Sequence, residues 1–186
     1  MPPMIYKVLG AGGTCIHGIG SWSLPHDGQP GEWMPYIKVL YPCESGYHVC
    51  ESVDSLLEWL GQEIYEVEVR GERVEKSSGV GVYHEARLLR RVETWNDRTA
   101  RLFACDCVER VAHLDPTGTA ATTITIARRY ANGDATAAEF NAAWSAAGGA
   151  AWSAAWSAAE ADERAWQVER LKWYLDGGDD DRARPE

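Results

Sequence analysis

The spacing of apolar residues changes near residue 95, and the change divides the chain into two kinds of structure. Up to that point apolar residues come in short runs or in strict alternation. Residues 5–9 (IYKVL) and 37–41 (IKVLY) are short β-type runs. Residues 64–70 alternate as I-Y-E-V-E-V-R, which sets Ile64, Glu66, Glu68 and Arg70 on one face and Tyr65, Val67 and Val69 on the other. Residues 80–91 form a further strand candidate. Ser52 is suited to cap a short helix whose apolar side is Leu56, Leu57, Trp59 and Leu60 and which Gly61 stops. Residues 10–35, rich in Gly, Pro, Ser and Trp, read as a long structured loop of the kind that carries function.

Beyond Trp95 the period is helical. Asn96 or Asp97 caps a helix that runs to Leu114, with Phe103, Cys107, Val111 and Leu114 in one stripe and Pro116 as its stop. A second helix is expected over 120–131, closed by Asn132-Gly133. Thr136-Ala-Ala-Glu139 is a capping box, in which each side chain satisfies a free backbone N–H of the other's turn. It opens an Ala/Trp-rich helix containing AAWS-AAGG-AAWS-AAWS over 142–157. Residues four apart advance about 40° around a helix. Trp144, Trp152, Trp156, Trp166 and Trp173 therefore share one sector of about 120° if the helix is unbroken. Such a stripe serves either as core against the preceding helices or as a face for a partner or a second copy, with Trp144, Trp152 and Trp156 as the contact residues. The predicted fold is thus α+β: a small mixed or antiparallel sheet domain with one short helix (1–94), then an all-α helical bundle with one long Ala/Trp-rich helix (95–175). A disordered acidic tail is expected over 176–186.

Charge and composition narrow the functions. The net charge is −10, and nucleic-acid binding normally needs a basic face, so a nucleic-acid partner is disfavoured and a protein partner or self-association fits better. No run approaches the roughly 20 apolar residues that span a bilayer, so no membrane is involved. The start of the chain carries no export signal and the five cysteines are odd in number. A cytoplasmic location in a bacterial or phage-infected cell, with free thiols or metal ligands, is the expectation.

Two clusters invite chemistry. Cys15 and His17, and His48 and Cys50, are i, i+2 pairs, and Cys43 stands near the second. On extended chain such pairs point the same way, so neighbouring segments could close a tetrahedral zinc site. Gly10-Ala-Gly-Gly-Thr14 follows a strand but lacks the Lys-Ser/Thr of a phosphate loop and begins no helix, which disfavours a phosphate role there. Cys105-Asp106-Cys107 falls inside a helix, where neighbours diverge by about 100° and do not chelate together. Helix core with one exposed thiol is expected for it.

Resemblances add context. The runs H-G-I-G-S-W-S-L-P, P-G-E-W-M-P, C-E-S-G-Y-H-V-C, I-Y-E-V-E-V-R-G-E, E-A-R-L-L-R and W-N-D-R-T-A-R-L-F-A-C-D-C-V-E-R-V resemble an uncharacterised family of actinobacteria and their phages along residues 4–174. The helical half, about 96–174, is also similar to domains labelled immunity proteins. Both imply a non-catalytic accessory protein of phage–host or inter-bacterial conflict that binds a macromolecular partner, of immunity or anti-defence type. Residues 15–91 resemble ADP-ribosyltransferases of the poly(ADP-ribose) polymerase type through His17-Gly18, Gly46-Tyr47-His48, I-Y-E-V-E-V-R-G and V-Y-H-E-A-R-L-L. That resemblance implies His17 on a ribose hydroxyl of NAD, the Gly18 backbone on the nicotinamide amide and Tyr47 stacked on the ring. The family's catalytic glutamate falls on Gly79, with Glu85 displaced along the strand, so NAD or a derived nucleotide is bound with transfer in doubt. No cofactor follows from the residues alone; NAD and zinc are the alternatives.

Overall fold

Alternation in the first half produces a closed sheet. The structure, a computed structural model, describes residues 4–77, 79–115, 118–147 and 161–178. Strands β1 (Tyr6–Leu9), β2 (Tyr47–Cys50), β3 (Glu63–Ser77) and β4 (Val80–Arg91) pair antiparallel and close in the order β1-β2-β4-β3. Tyr65 and Val67 of β3 and Ala86 and Leu88 of β4 turn inward with Leu9, Val49 and Trp22 to form the core. On the other face Glu66 lies opposite Arg90 and Glu68 opposite Arg87, each joined by a cross-strand ion pair. Ile64, on that same alternation, is nevertheless fully buried. The β3–β4 register shifts at three places, and such bulges sharpen the twist that lets a short sheet curl shut. At one of them Gly71 has φ +88°, and a Cβ there would stand 2.7 Å from the His84 ring.

The long loop between β1 and β2 is tied along the part of β4, from His84 onward, that β2 does not reach. The N–H groups of Gly31, Met34 and Ile37 donate to the carbonyls of Leu88, Ala86 and His84 at 2.8, 2.9 and 3.0 Å. The strand expected over 37–41 does not form. After Ile37 the chain leaves β4, Tyr41 N–H bonds back to Ser45 O at 2.9 Å, and Val39 and Tyr41 stand exposed. β2 was not expected; β3 runs well past Arg70. Ser52 caps α1 (Val53–Leu57) in a box with Ser55, and the helix ends short of Trp59.

The chain separates into two compact units, Met1–Glu93 and Thr94–Glu186, and is mixed α+β. In the second, α2 (Asp97–Val111) is capped by Asn96, whose side chain accepts from the N–H groups of Arg98 and Thr99. It passes into a 3-10 turn, residues 112–114. α3 (Thr119–Ala131) accommodates its β-branched run because Thr123 and Thr125 hydroxyls return to the carbonyls of Thr119 and Ala121. The Thr136–Glu139 box opens α4 (Ala137–Ala147). α5 (Ala161–Leu175) closes through N–H bonds from Asp176, Gly177 and Gly178, so the first three residues of the expected tail form a helix cap. The rest of that tail, Trp152, Trp156 and the continuity of the Ala/Trp helix across 148–160 lie outside the described residues. Trp144 is half exposed, its ring tilted on Phe140, while Trp166 and Trp173 lie under the guanidinium groups of Arg110 and Arg170.

Asp106 sits at the polar centre of this unit. It is 4% exposed, and its carboxylate accepts from Arg170 Nε (2.6 Å), an Arg128 terminal nitrogen (2.6 Å) and Tyr174 O–H (2.7 Å). Arg128 also pairs with Glu109 at 2.7 Å. Phe103 packs edge-on against both Trp95 and Tyr174. Among the described residues no helix is long and apolar enough to cross a membrane.

Candidate functional site

A cavity of about 770 Å³ opens between the first part of the long loop and the strands β1 and β2. That is within the usual range for small-molecule sites. Its wall includes Lys7 of β1, Cys15 to Trp22 of the loop, Cys43 to Cys50, Trp59, and Lys76 near the end of β3. His17, Gly18 and Tyr47, which sequence reasoning grouped through a resemblance, all line it. Tyr47 meets the Trp22 ring edge-on at 5.4 Å and donates its O–H to Pro35 O at 2.7 Å. Burial, with the charge of Glu85 added, holds the Tyr47 phenol above its ordinary value. Glu85 itself does not line the cavity; Glu44, an exposed residue, is the one carboxylate among the described lining residues.

Two lysines give the cavity its charge. Lys7 Nζ donates to His48 O at 2.9 Å and lies 5.3 Å from the centre of the Trp22 ring. Burial lowers the Lys7 pKa; the Cys15 and Cys50 thiols oppose this and Lys76 adds to it. Lys76 Nζ lies 3.9 Å from the centre of the Trp59 ring, which in turn meets the His17 ring edge-on at 5.7 Å. The Trp59 indole Nε1 is buried and has no acceptor among the described residues.

The five residues considered for zinc also line this cavity, but their donors are not free to converge. His48 Nε2 accepts from Cys43 N–H at 2.9 Å, so the ring proton sits on Nδ1 and donates to Gly46 O at 3.1 Å. No lone pair is left for a metal. Burial lowers the His48 pKa against the Gly46 bond, and the Lys7 and Lys76 charges lower it further. Cys43 adopts φ +71° in an exposed turn, and burial pushes the Cys50 thiol up to about 11, far from the thiolate a metal needs. Among the described residues no group of three His, Cys, Asp or Glu side chains is placed to hold a metal ion. As placed, the five residues do not converge on a metal position, and His48 is committed to Cys43 and Gly46.

The glycine turn after β1 is occupied from within. Ala11 N–H donates to Gln62 Oε1 at 2.9 Å and Gly13 N–H to Glu63 Oε2 at 3.2 Å. Burial would raise the Glu63 pKa, but the Tyr65 hydroxyl, the Gly12 and Gly13 N–H groups and Arg91 together bring it below the usual range. An internal carboxylate thus fills the place a phosphate would need.

Sequence reasoning did not single out Lys7, Lys76, Trp22 or Trp59 as site residues. A lysine in the middle of the apolar run IYKVL was the one available signal for Lys7. Lys76 carried none, being one of many charges on a long polar strand. Compared with protein-family models, curated proteins and solved structures, the chain matches none.

Proposed function

We propose that the unit Met1–Glu93 is a non-catalytic binding module for a small anionic ligand with a flat ring, of the NAD-derived nucleotide class. The carrying observation is that His17, Gly18 and Tyr47, from two separate segments, line one cavity together with two lysines and two tryptophans. Aromatic rings offer faces and edges to a planar group, and the ammonium groups favour negative charge. Binding without transfer fits the carboxylates: Gly79 holds the family's catalytic position and Glu85 lies outside the lining. Isothermal calorimetry with NAD and ADP-ribose tests the reading. Saturable binding that weakens about tenfold or more in His17→Ala and Tyr47→Ala supports it. No heat with either nucleotide at millimolar concentration removes it.

A second reading, a phage- or conflict-associated accessory protein acting in the cytoplasm on a macromolecular partner, is favoured by the apolar residues that stand in solvent. Ile19 is fully exposed, Val39 and Tyr41 are more than half exposed, and Trp144 is 48% exposed on α4. In this reading the second unit is a helical bundle whose long Ala/Trp helix presents its tryptophans. Retention of one host protein by the wild type and its loss in Ile19→Asp or Trp144→Asp supports it; retention unchanged in both variants counts against it.

A further inference from the structure

We propose that Lys7, Lys76 and the Trp59 indole N–H form an oxyanion subsite of this cavity, built for the phosphate of a phosphorylated ligand. It rests on the cavity proposed above and names the chemistry that holds the charged end of the ligand. Three observations meet there. An ammonium has three donors, and Lys7 uses one of them on His48 O. Lys76 has the Trp59 ring beneath it, and among the described residues neither lysine pairs with a carboxylate.

The third is the buried Trp59 Nε1, one of five buried side-chain polar atoms without a hydrogen-bond partner among the described residues and the only one of them in the cavity wall. An indole N–H cannot accept, and Nε1 is closed to solvent in a residue of the cavity wall, so an acceptor on a bound ligand reaches it with a small shift of that wall. Two of the nearby acids are committed elsewhere: Glu51 to Arg73 and Tyr83, and Glu63 to Tyr65 and the glycine turn. The two lysines repel one another and both act on His48 and Cys50, so they bear on one region with like charge; Glu58 also acts on Cys50 and Glu44 lies in the exposed rim, but neither forms an ion pair with either lysine among the described residues. Two cations plus a neutral donor suit a tetrahedral dianion better than a carboxylate, which offers two oxygens and one charge. The net charge of −10 disfavours anions over the chain as a whole, so a cationic pocket stands out as a place for one.

The test is calorimetry on the full chain with inorganic phosphate, pyrophosphate, NAD, ADP-ribose and acetate, repeated with Lys76→Met, Lys7→Met and Trp59→Phe. Trp59→Phe keeps an aromatic ring but removes the donor and part of the surface under Lys76, so its melting temperature is measured beside its binding, and Lys76→Met supplies the variant that leaves the Trp59 ring in place. Expected are binding of pyrophosphate over acetate, weakening of about tenfold to a hundredfold in Lys76→Met, and a smaller loss in Trp59→Phe. Pyrophosphate binding with these sensitivities while NAD and ADP-ribose are refused upholds the subsite and removes the nucleotide reading. ADP-ribose binding that is unchanged in Lys76→Met and Trp59→Phe overturns the subsite and leaves the nucleotide reading intact. Absence of binding by every phosphate compound overturns both.

Discussion

Both units bring ionisable side chains out of water, and Asp106 of one and the cavity lysines of the other meet that cost in opposite ways. In the helical unit Asp106 is enclosed by Arg128, Arg170 and Tyr174, with every hydrogen bond between 2.6 and 2.7 Å. Its charge is answered from inside the fold, as a buried ion requires when its role is structural. In the sheet unit Lys7 and Lys76 face a cavity, are answered by a carbonyl and two aromatic rings, and form no ion pair with a carboxylate among the described residues. A compensated buried charge holds a fold together. An uncompensated one at a cavity wall costs stability and is retained where a ligand completes it.

The largest effect that distinguishes the two regions is at Asp106. Asp106→Ala leaves Arg170 buried against Arg128 without their shared carboxylate and should destabilise the helical unit by about 3–5 kcal/mol in chemical denaturation. A loss below about 1 kcal/mol would remove the structural side of the comparison. Next is the Cys50 thiol, which burial pushes up to about 11 in the cavity wall. Its alkylation at neutral pH should run about a hundredfold slower than that of an ordinary thiol, read by mass spectrometry of the modified peptide. A rapid reaction would mean that the Lys7 side of the cavity is wetter than described.

Lys7→Met should behave opposite to Asp106→Ala, leaving stability unchanged or raising it by about 1 kcal/mol while weakening anion binding. The pH dependence has a definite sign. Because the folded pKa of Lys7 is lowered, the folded form loses its proton before the unfolded chain does. The cost of burying the cation is therefore present at neutral pH and is relieved as pH rises through the lowered value toward the ordinary lysine range. The groups acting on Lys7 are Cys15, Cys50 and Lys76, and the wild type minus Lys7→Met difference isolates its share. A stability gap between the two that does not narrow with rising pH would contradict the assignment. The smallest effect is expected at Glu51, whose carboxyl is held below the usual range by the Arg73 guanidinium, with burial opposing and the Tyr83 hydroxyl assisting. Its contribution is present above the ordinary glutamate range and is lost as pH falls through the lowered folded value. Glu51→Gln should cost about 0.5 kcal/mol near neutrality and less in acid. An equal cost at pH 3 would show that packing is responsible instead.

Both units were readable where side-chain alternation or a cap is local. I-Y-E-V-E-V-R announces β3, and Ser52, Asn96 and Thr136 with Glu139 announce three helix starts. β2 escaped notice because Tyr47-His48-Val49-Cys50 has no alternation of its own and is made a strand by pairing with Val80 to Tyr83. Residues 37–41 have strand composition, yet only the Ile37 N–H finds a neighbour before the chain turns. At the site, His17, Gly18 and Tyr47 were indicated by a resemblance, whereas the lysines were hidden by their position on strands. A charge on a strand normally marks its solvent face, and here the closing of the sheet and the packing of the loop decide what Lys7 and Lys76 face. Asp106 was hidden in the same way: its partners Arg128 and Arg170 lie 22 and 64 residues along the chain.

The most direct test of the uncompensated cavity follows the orphan donor itself. In a ¹H–¹⁵N spectrum the Trp59 indole resonance is identified by its loss in Trp59→Phe, and pyrophosphate is titrated into the wild-type protein. A saturable downfield shift of that resonance, abolished in Lys76→Met, is the predicted result. A Trp59 indole signal that does not move at millimolar pyrophosphate, in a protein whose other resonances show it folded, would contradict the account.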